Sequence, residues 1–276
     1  MAAGLGLAPL AKKAALSAGA APLPLALATV AVAALVTAGA MLLRDGLRGL
    51  AAVPLPAWRH VALVGVLGSG AVSLLGIVAM TGTTATNRGL FQSMYPVATA
   101  IAARWLLGER PGGFAYAVIG VMALGLLAMN FGDGGLGIGL PFWLLCATLP
   151  LIGLSDVYAR RTLEGADPGF VAAGRLVAGA LALALALPWI SGEAWLELVA
   201  SWPWVVAGGV ATAGGLIGLY RAMNSTGASL AAAFAGTAPV ITAVGEWLVL
   251  GAQFNAPQLL GIVLVVTGAA VLAYRS

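Results

Sequence analysis

The chain has 276 residues, 61% hydrophobic and 8% charged, with a net charge of +4. Soluble domains carry about 25% charged residues and bury at most about three-quarters of their extended surface, so this composition excludes an aqueous fold and calls for lipid as the main solvent. One cysteine (Cys146) and one histidine (His60) exclude an internal disulfide and leave too few ligands for a zinc site, while the scattered basic residues form no nucleic-acid face.

A helix needs about 20 apolar residues to cross roughly 30 Å of hydrocarbon. In chain order, the opening "MAAGLGLAPLAKKAALSAGA" is apolar but interrupted by Lys12 and Lys13. No positive charge precedes its apolar run, which argues against a cleaved signal peptide. The stretch reads as a first helix that is truncated. Full spans follow at 22–43, 61–80, 85–107, 112–132, 136–158, 168–190, 202–223, 228–250 and 256–274, separated by short polar or Gly/Pro stretches such as "GERPGG", "GDGGLGIG" and "GAQFNAP". The 39 glycines suit close helix approach in a bilayer, and the 14 prolines are tolerable in spans. Gly214 and Gly218 fit small-xxx-small packing.

Orientation follows the Lys/Arg bias of the loops. Arg44, Arg48, Arg59, Arg104, Arg110, Arg160, Arg161, Arg221 and Arg275 fall on one side, taken as cytoplasmic, together with the C-terminus. The opposite loops at 133–135, 191–201 and 251–255 hold only Asp133, Glu193 and Glu197.

The chain repeats itself. Shifted by 143 positions, Phe91 meets Phe234, Pro96 meets Pro239, Thr99-Ala100 meets Thr242-Ala243, Leu107-Gly108 meets Leu250-Gly251, and Gly125 meets Gly268. Upstream, Lys12-Lys13 lies opposite Arg160-Arg161. The predicted fold is an all-α integral membrane protein with ten transmembrane helices, the first truncated. They form two five-helix repeats, 1–133 and 134–276. Five is odd, so the second repeat enters the membrane from the opposite side.

The segment "MYPVATAIAARWLLGER" resembles the fourth helix of EamA-type members of the drug/metabolite transporter superfamily. "APVITAVGEWLVLGAQ" resembles their ninth helix, and "ADPGFVAAGRLVAGALAL" their seventh. The resemblance implies two inverted five-helix halves around a central cavity, and export or exchange of small metabolites. Three departures stand out. Gly-Ala-Gln replaces the frequent Gly-Glu after helix nine, Thr29 lies near where helix seven has Arg175, and the first helix is short.

Charge inside lipid costs at least about 2.5–3.5 kcal/mol, so each buried ionisable group requires a reason. Arg88, Phe91, Gln92 and Tyr95 follow i, i+3, i+4, i+7 and share one helix face. With Phe234 they are the expected substrate cavity. Pro96 and Pro239 are expected to bend their helices as a kink or hinge. Asp156 and Arg175 lie at similar depth on consecutive antiparallel helices, a candidate charge pair with a substrate or proton role for Asp156 as the alternative. Glu246 is a candidate proton site or an interfacial anchor beside Trp247.

The expected function is secondary transport of small amphipathic metabolites, amino acids or related compounds, by alternating access across a bacterial cytoplasmic (inner) membrane. The partners are the solute, the bilayer and a coupling proton, the protein being a monomer or homodimer. No cofactor and no metal are expected. The absence of G-x-x-x-x-G-K-[ST] from the sequence removes ATP as driver. A passive channel is the alternative, disfavoured because no ring of like charges is evident. A membrane enzyme is weaker still. Ser229 is a conceivable nucleophile, but His60 is many spans away.

Overall fold

The structure is a computed structural model. It describes residues 1–45, 55–94, 97–98, 101–102, 104–105, 113–132, 135–163, 167–226 and 235–275. The helices are α1 (Ala2–Ser17), α2 (Pro22–Asp45) and α3, which joins Leu55–Val64, a π-helical stretch Gly65–Ala71 and Val72–Ala79. They continue with α4 (Ala85–Ser93), α5 (Gly113–Met129), α6 (Leu140–Leu163), α7 (Pro168–Ala184), α8 (Gly192–Ala200), α9 (Trp202–Thr226), α10 (Ala238–Leu250) and α11 (Ala256–Arg275). Four stretches are long and apolar enough to cross a membrane: Pro22–Arg44, Trp58–Ala79, Leu140–Ala159 and Trp202–Ala222. Shorter apolar helices are Tyr116–Met129, Pro168–Ala184, Ala238–Leu250 and Ala256–Val271. The 16 residues of α1 reach about 24 Å at 1.5 Å per residue.

Two differences from the expected all-α chain occur between helices. A two-residue ribbon pairs β1 (Phe131–Gly132) antiparallel with β2 (Gly135–Leu136). The stretch 191–201, read above as a loop, contains α8. Ser191 caps it by accepting from Ala194 N–H at 3.3 Å, and Glu193 sits in its first turn, where the helix dipole favours an acid. Of its own residues only Leu198 is buried, while Trp189, Leu196, Val199 and Trp202 around it are exposed. Apolar and aromatic exposure of this kind suits a short helix lying at the lipid–water interface.

Helix pairing has a pattern. Among the extensive contacts are α1 with α9, α3 with α6, α2 with α7, α3 with α7, α2 with α9, α4 with α10, and α5 with α11. Exchanging α1 with α6, α2 with α7, α3 with α9, α4 with α10 and α5 with α11 leaves that set unchanged. The reciprocity reaches individual residues. A Cβ built on Gly125 would lie 2.9 Å from both Gly261 O and a Val265 methyl. The 143-residue offset turns these neighbours into Val118 and Met122, the side chains that a Cβ on Gly268 would meet.

Close backbone approach in lipid gains dispersion contacts that only small residues permit. The α1–α9 crossing uses Gly4 and Gly215, where a Cβ on Gly4 would fall 2.6 Å from Gly215 N. Gly214, one position away, faces open space and is not the packing residue, a correction to the small-xxx-small reading; Gly218 does pack, against Met1. Replacing Gly125 by Leu is expected to cost about 1–3 kcal/mol, the range for overpacking. Gly120→Ala, whose Cβ meets nothing within 4 Å, is expected to be neutral or stabilising. Thermal unfolding of the purified protein in detergent separates the two.

Candidate functional site

A cavity of about 110 Å³ lies where α1, α3, α4, α6, α7 and α9 converge. Its polar lining comprises Lys12 from α1, Ser69 and Ser73 from α3, Arg88 and Gln92 from α4, Thr148 from α6, Arg175 from α7 and Thr212 from α9. Leu5, Pro9, Val72, Leu145, Ile152, Leu176, Leu216 and Leu219 are among its apolar walls. An adjoining hollow of about 40 Å³ shares Leu5, Gln92 and Leu219 and continues past Gly89 to Ala238 and Thr242.

Arg175 is held by an extensive set of partners. Its Nε donates to Ser69 Oγ at 3.0 Å, and its Nη1 donates to Tyr220 Oη at 2.7 Å and lies 3.9 Å from Asp156 Oδ1. Asp156 is 1% exposed, so the two charges are buried together, matching the depth argument from sequence. The π-helical stretch makes room for this group. A Cβ on Gly68 would come within 2.4 Å of Arg175 Nη2, so glycine there lets the guanidinium lie against the α3 backbone. In α2, Thr29 returns its hydroxyl to Leu25 O at 2.8 Å and brings no charge to the centre.

Arg88 and Gln92 line the cavity as their spacing suggested. Gly76 on α3 lies flat beneath the Arg88 guanidinium, where any Cβ would overlap it, and Nη1 donates weakly to Val72 O at 3.5 Å. Phe91 does not line either hollow. It is 1% exposed and packs edge-on against Phe142 of α6, with ring centroids 5.6 Å apart. The shared face of α4 is wide enough that α6 covers its aromatic side. Tyr95, Pro96 and Phe234 lie outside the described residues, as does Ser229. Pro239 occupies the first turn of α10, just after a turn at Thr237. There its missing N–H leaves no bond of α10 broken, and residues 235–236 before the turn are also helical. The smaller hollow is lined by Gly89 and Ala238 beside it, and a Cβ on Gly89 would sit 3.6 Å from Pro239 Cα.

Glu246 is not in apolar surroundings. Buried to 2% exposure, its carboxylate accepts from Ala85 N–H at 2.8 Å, Thr86 N–H at 2.8 Å and Thr86 Oγ1–H at 2.7 Å. Thr84 Oγ1 accepts the next donor, Asn87 N–H, at 3.0 Å. The orphan donors of α4 are thereby satisfied, largely by an acid from α10. On the same turn, Lys13 Nζ donates to Met80 O at 2.7 Å, at the C-cap of α3, and to Thr83 O at 2.9 Å, within the turn itself. The α3–α4 turn is thus clamped by a cation from α1 and an anion from α10.

Sequence reading missed Lys12 as a site residue. It is 4% exposed, lines the cavity, makes no hydrogen bond among the described residues, and sits close enough to Arg88 for their charges to repel. The available signal was a cation inside an apolar run, which reads equally well as a break in the helix. No group of three or more potential metal ligands occurs among the described residues.

The polar hollow thus takes its lining from helices in both parts of the chain. Residues 1–131 and 139–274 each match the model of the EamA-like transporter family. The chain belongs to that family and is a multi-pass membrane transporter of the drug/metabolite superfamily. A crystal structure of another protein, 23% identical, aligns over 99% of this chain and 96% of its own with a TM-score of 0.64, a likeness of fold. No curated protein sequence matches the chain.

Removing one partner of a buried ion pair strands the other, at about 3–5 kcal/mol. Arg175→Ala is therefore expected to lower the unfolding temperature strongly, and adding Asp156→Ala to recover part of the loss, as measured in a double-mutant cycle in detergent. Glu246→Ala leaves buried amides of α4 unpaired and is expected to cost about 1–3 kcal/mol in the same assay.

Proposed function

We propose that the protein is a secondary transporter that moves small amphipathic metabolites bearing an anionic group, amino acids and related compounds, by alternating access. Ten crossings in two inverted repeats, 1–133 and 134–276, would enclose the solute near mid-membrane. The reciprocal helix pairing and the matched surroundings of Gly125 and Gly268 support that arrangement. The observation that carries the reading is the cavity itself, lined by Arg88 and Gln92 from one repeat and by Arg175 and Thr212 from the other.

The loop charges favour a cytoplasmic C-terminus in a bacterial inner membrane, with the α3–α4 turn on the outer side. Access from that side then requires Glu246 to leave the N-terminus of α4 and Lys13 to release the end of α3, contacts that close this face. Export is the direction we assign. Glu246 is our candidate for proton coupling, since protonation removes the charge that holds the clamp, and Pro239, where α10 begins, is our candidate hinge.

Counterflow of labelled solutes in proteoliposomes tests the proposal. The wild type is expected to exchange at least one small anionic metabolite, and Arg88→Ala to slow that exchange by about tenfold, the effect of roughly 1.4 kcal/mol. A steady current in a planar bilayer, with no saturable exchange, would indicate a channel instead.

A further inference from the structure

Among metabolites that such a carrier could move, the cavity separates zwitterions from anions. Its three cations are Lys12, Arg88 and Arg175, and no carboxylate lines it among the described residues. Asp156 lies behind Arg175, 3.9 Å from Nη1, and is buried away from the hollow. It offsets that one guanidinium, which Ser69 and Tyr220 also orient. Lys12 and Arg88 remain as two positive charges in one hollow, without an acidic partner among the described residues.

A buried ammonium with no hydrogen-bond acceptor is costly unless an anion meets it. Lys12 as a residue is 4% exposed, makes no hydrogen bond among the described residues, and opens its ammonium onto the cavity, where an anion would meet it. The ammonium of an amino acid would find only hydroxyls and the Gln92 amide there, and would add a third like charge to the pair. Size sets a second limit. A cavity of about 150 Å³ takes up a benzene, and the hollow here is about 110 Å³ with about 40 Å³ adjoining.

We infer that the cavity is a binding site for compact dianions, a short dicarboxylate or a phosphate, with Lys12 and Arg88 each meeting one charge. This rests on the transporter reading but replaces amino acids with dianions as its solute class. The hydroxyls of Ser69 and Ser73 on α3 donate to the remaining anion oxygens, those of Thr148 and Thr212 being committed to the carbonyls of Leu145 and Gly208, and the leucine and isoleucine walls exclude bulkier solutes.

Calorimetric titration of the detergent-purified full chain tests it with four probes: malonate, orthophosphate, lactate and alanine. Malonate or orthophosphate is expected to bind at least tenfold more tightly than lactate, and alanine not to bind detectably. The stronger of the two dianions identifies the chemistry as carboxylate or phosphate. Lys12→Gln is expected to weaken dianion binding at least tenfold, Lys12→Arg to retain most of it, and Arg59→Gln, an exposed cation on α3, to leave it unchanged. Lys12→Gln removes a buried charge, so its unfolding temperature should equal or exceed that of the wild type, which separates lost binding from lost folding. Alanine binding as tightly as malonate overturns the inference, and so does a wild type that binds neither dianion. If neither dianion binds while proteoliposome exchange of some other solute persists, this inference fails and the transporter reading stands. Absence of all exchange sinks the reading beneath it.

Discussion

Hydrocarbon offers nothing to a charge or to an unpaired amide, so every ionisable group carried into this bundle has to be met from within it. That requirement organises the centre of the molecule. Asp156 and Arg175 answer each other, with Ser69 and Tyr220 completing the guanidinium's partners. Lys13 is met by carbonyls of the α3–α4 turn, and Glu246 by the first amides of α4. Lys12 and Arg88 instead face the hollow, Arg88 with a weak bond to Val72 O and Lys12 with no hydrogen bond among the described residues.

Glycine makes the rest possible. Close crossings at Gly4–Gly215 and Gly125–Gly261 let backbones touch without side chains between them, and Gly68 and Gly76 open backbone surfaces on which two guanidinium groups lie. A scaffold of this kind is held by dispersion at narrow contacts rather than by a hydrophobic drive, since lipid is as apolar as leucine. It can therefore separate along crossings that carry few polar bonds. The α3–α4 turn is different, because it is tied to α1 and α10 by charge-assisted bonds.

The two repeats share a frame but not a chemistry. Helix pairing survives exchange of the halves, whereas the charges do not. Thr29 lies near the place corresponding to Arg175, and Ala103 stands where the offset of Glu246 falls. The halves therefore match in helix packing and differ in the polar groups they carry. The clamp on the α3–α4 turn has no acid at the matching sequence position of the other half for the same reason.

Much of this was legible in the residues. Composition demanded lipid, the repeated Pro and Gly at a constant offset announced two related halves, and helical spacing placed Arg88 and Gln92 on one face. Similar distance from a turn brought Asp156 to Arg175. Periodicity names a face but not its neighbour, which is why Phe91 was read into the cavity while α6 in fact covers it. Gly215 rather than Gly214 packs because the rotation of α9 about its own axis is set by α1. Glu246 was read as a proton site or an interfacial anchor because its donors lie about 160 residues away in sequence. Lys12 looked like an interruption for the same reason. By itself the chain determined the solvent, the elements and their duplication, all of which depend on local composition and spacing. Only the tertiary structure decided which polar groups share a hollow and which satisfy one another, because those contacts join helices far apart along the chain.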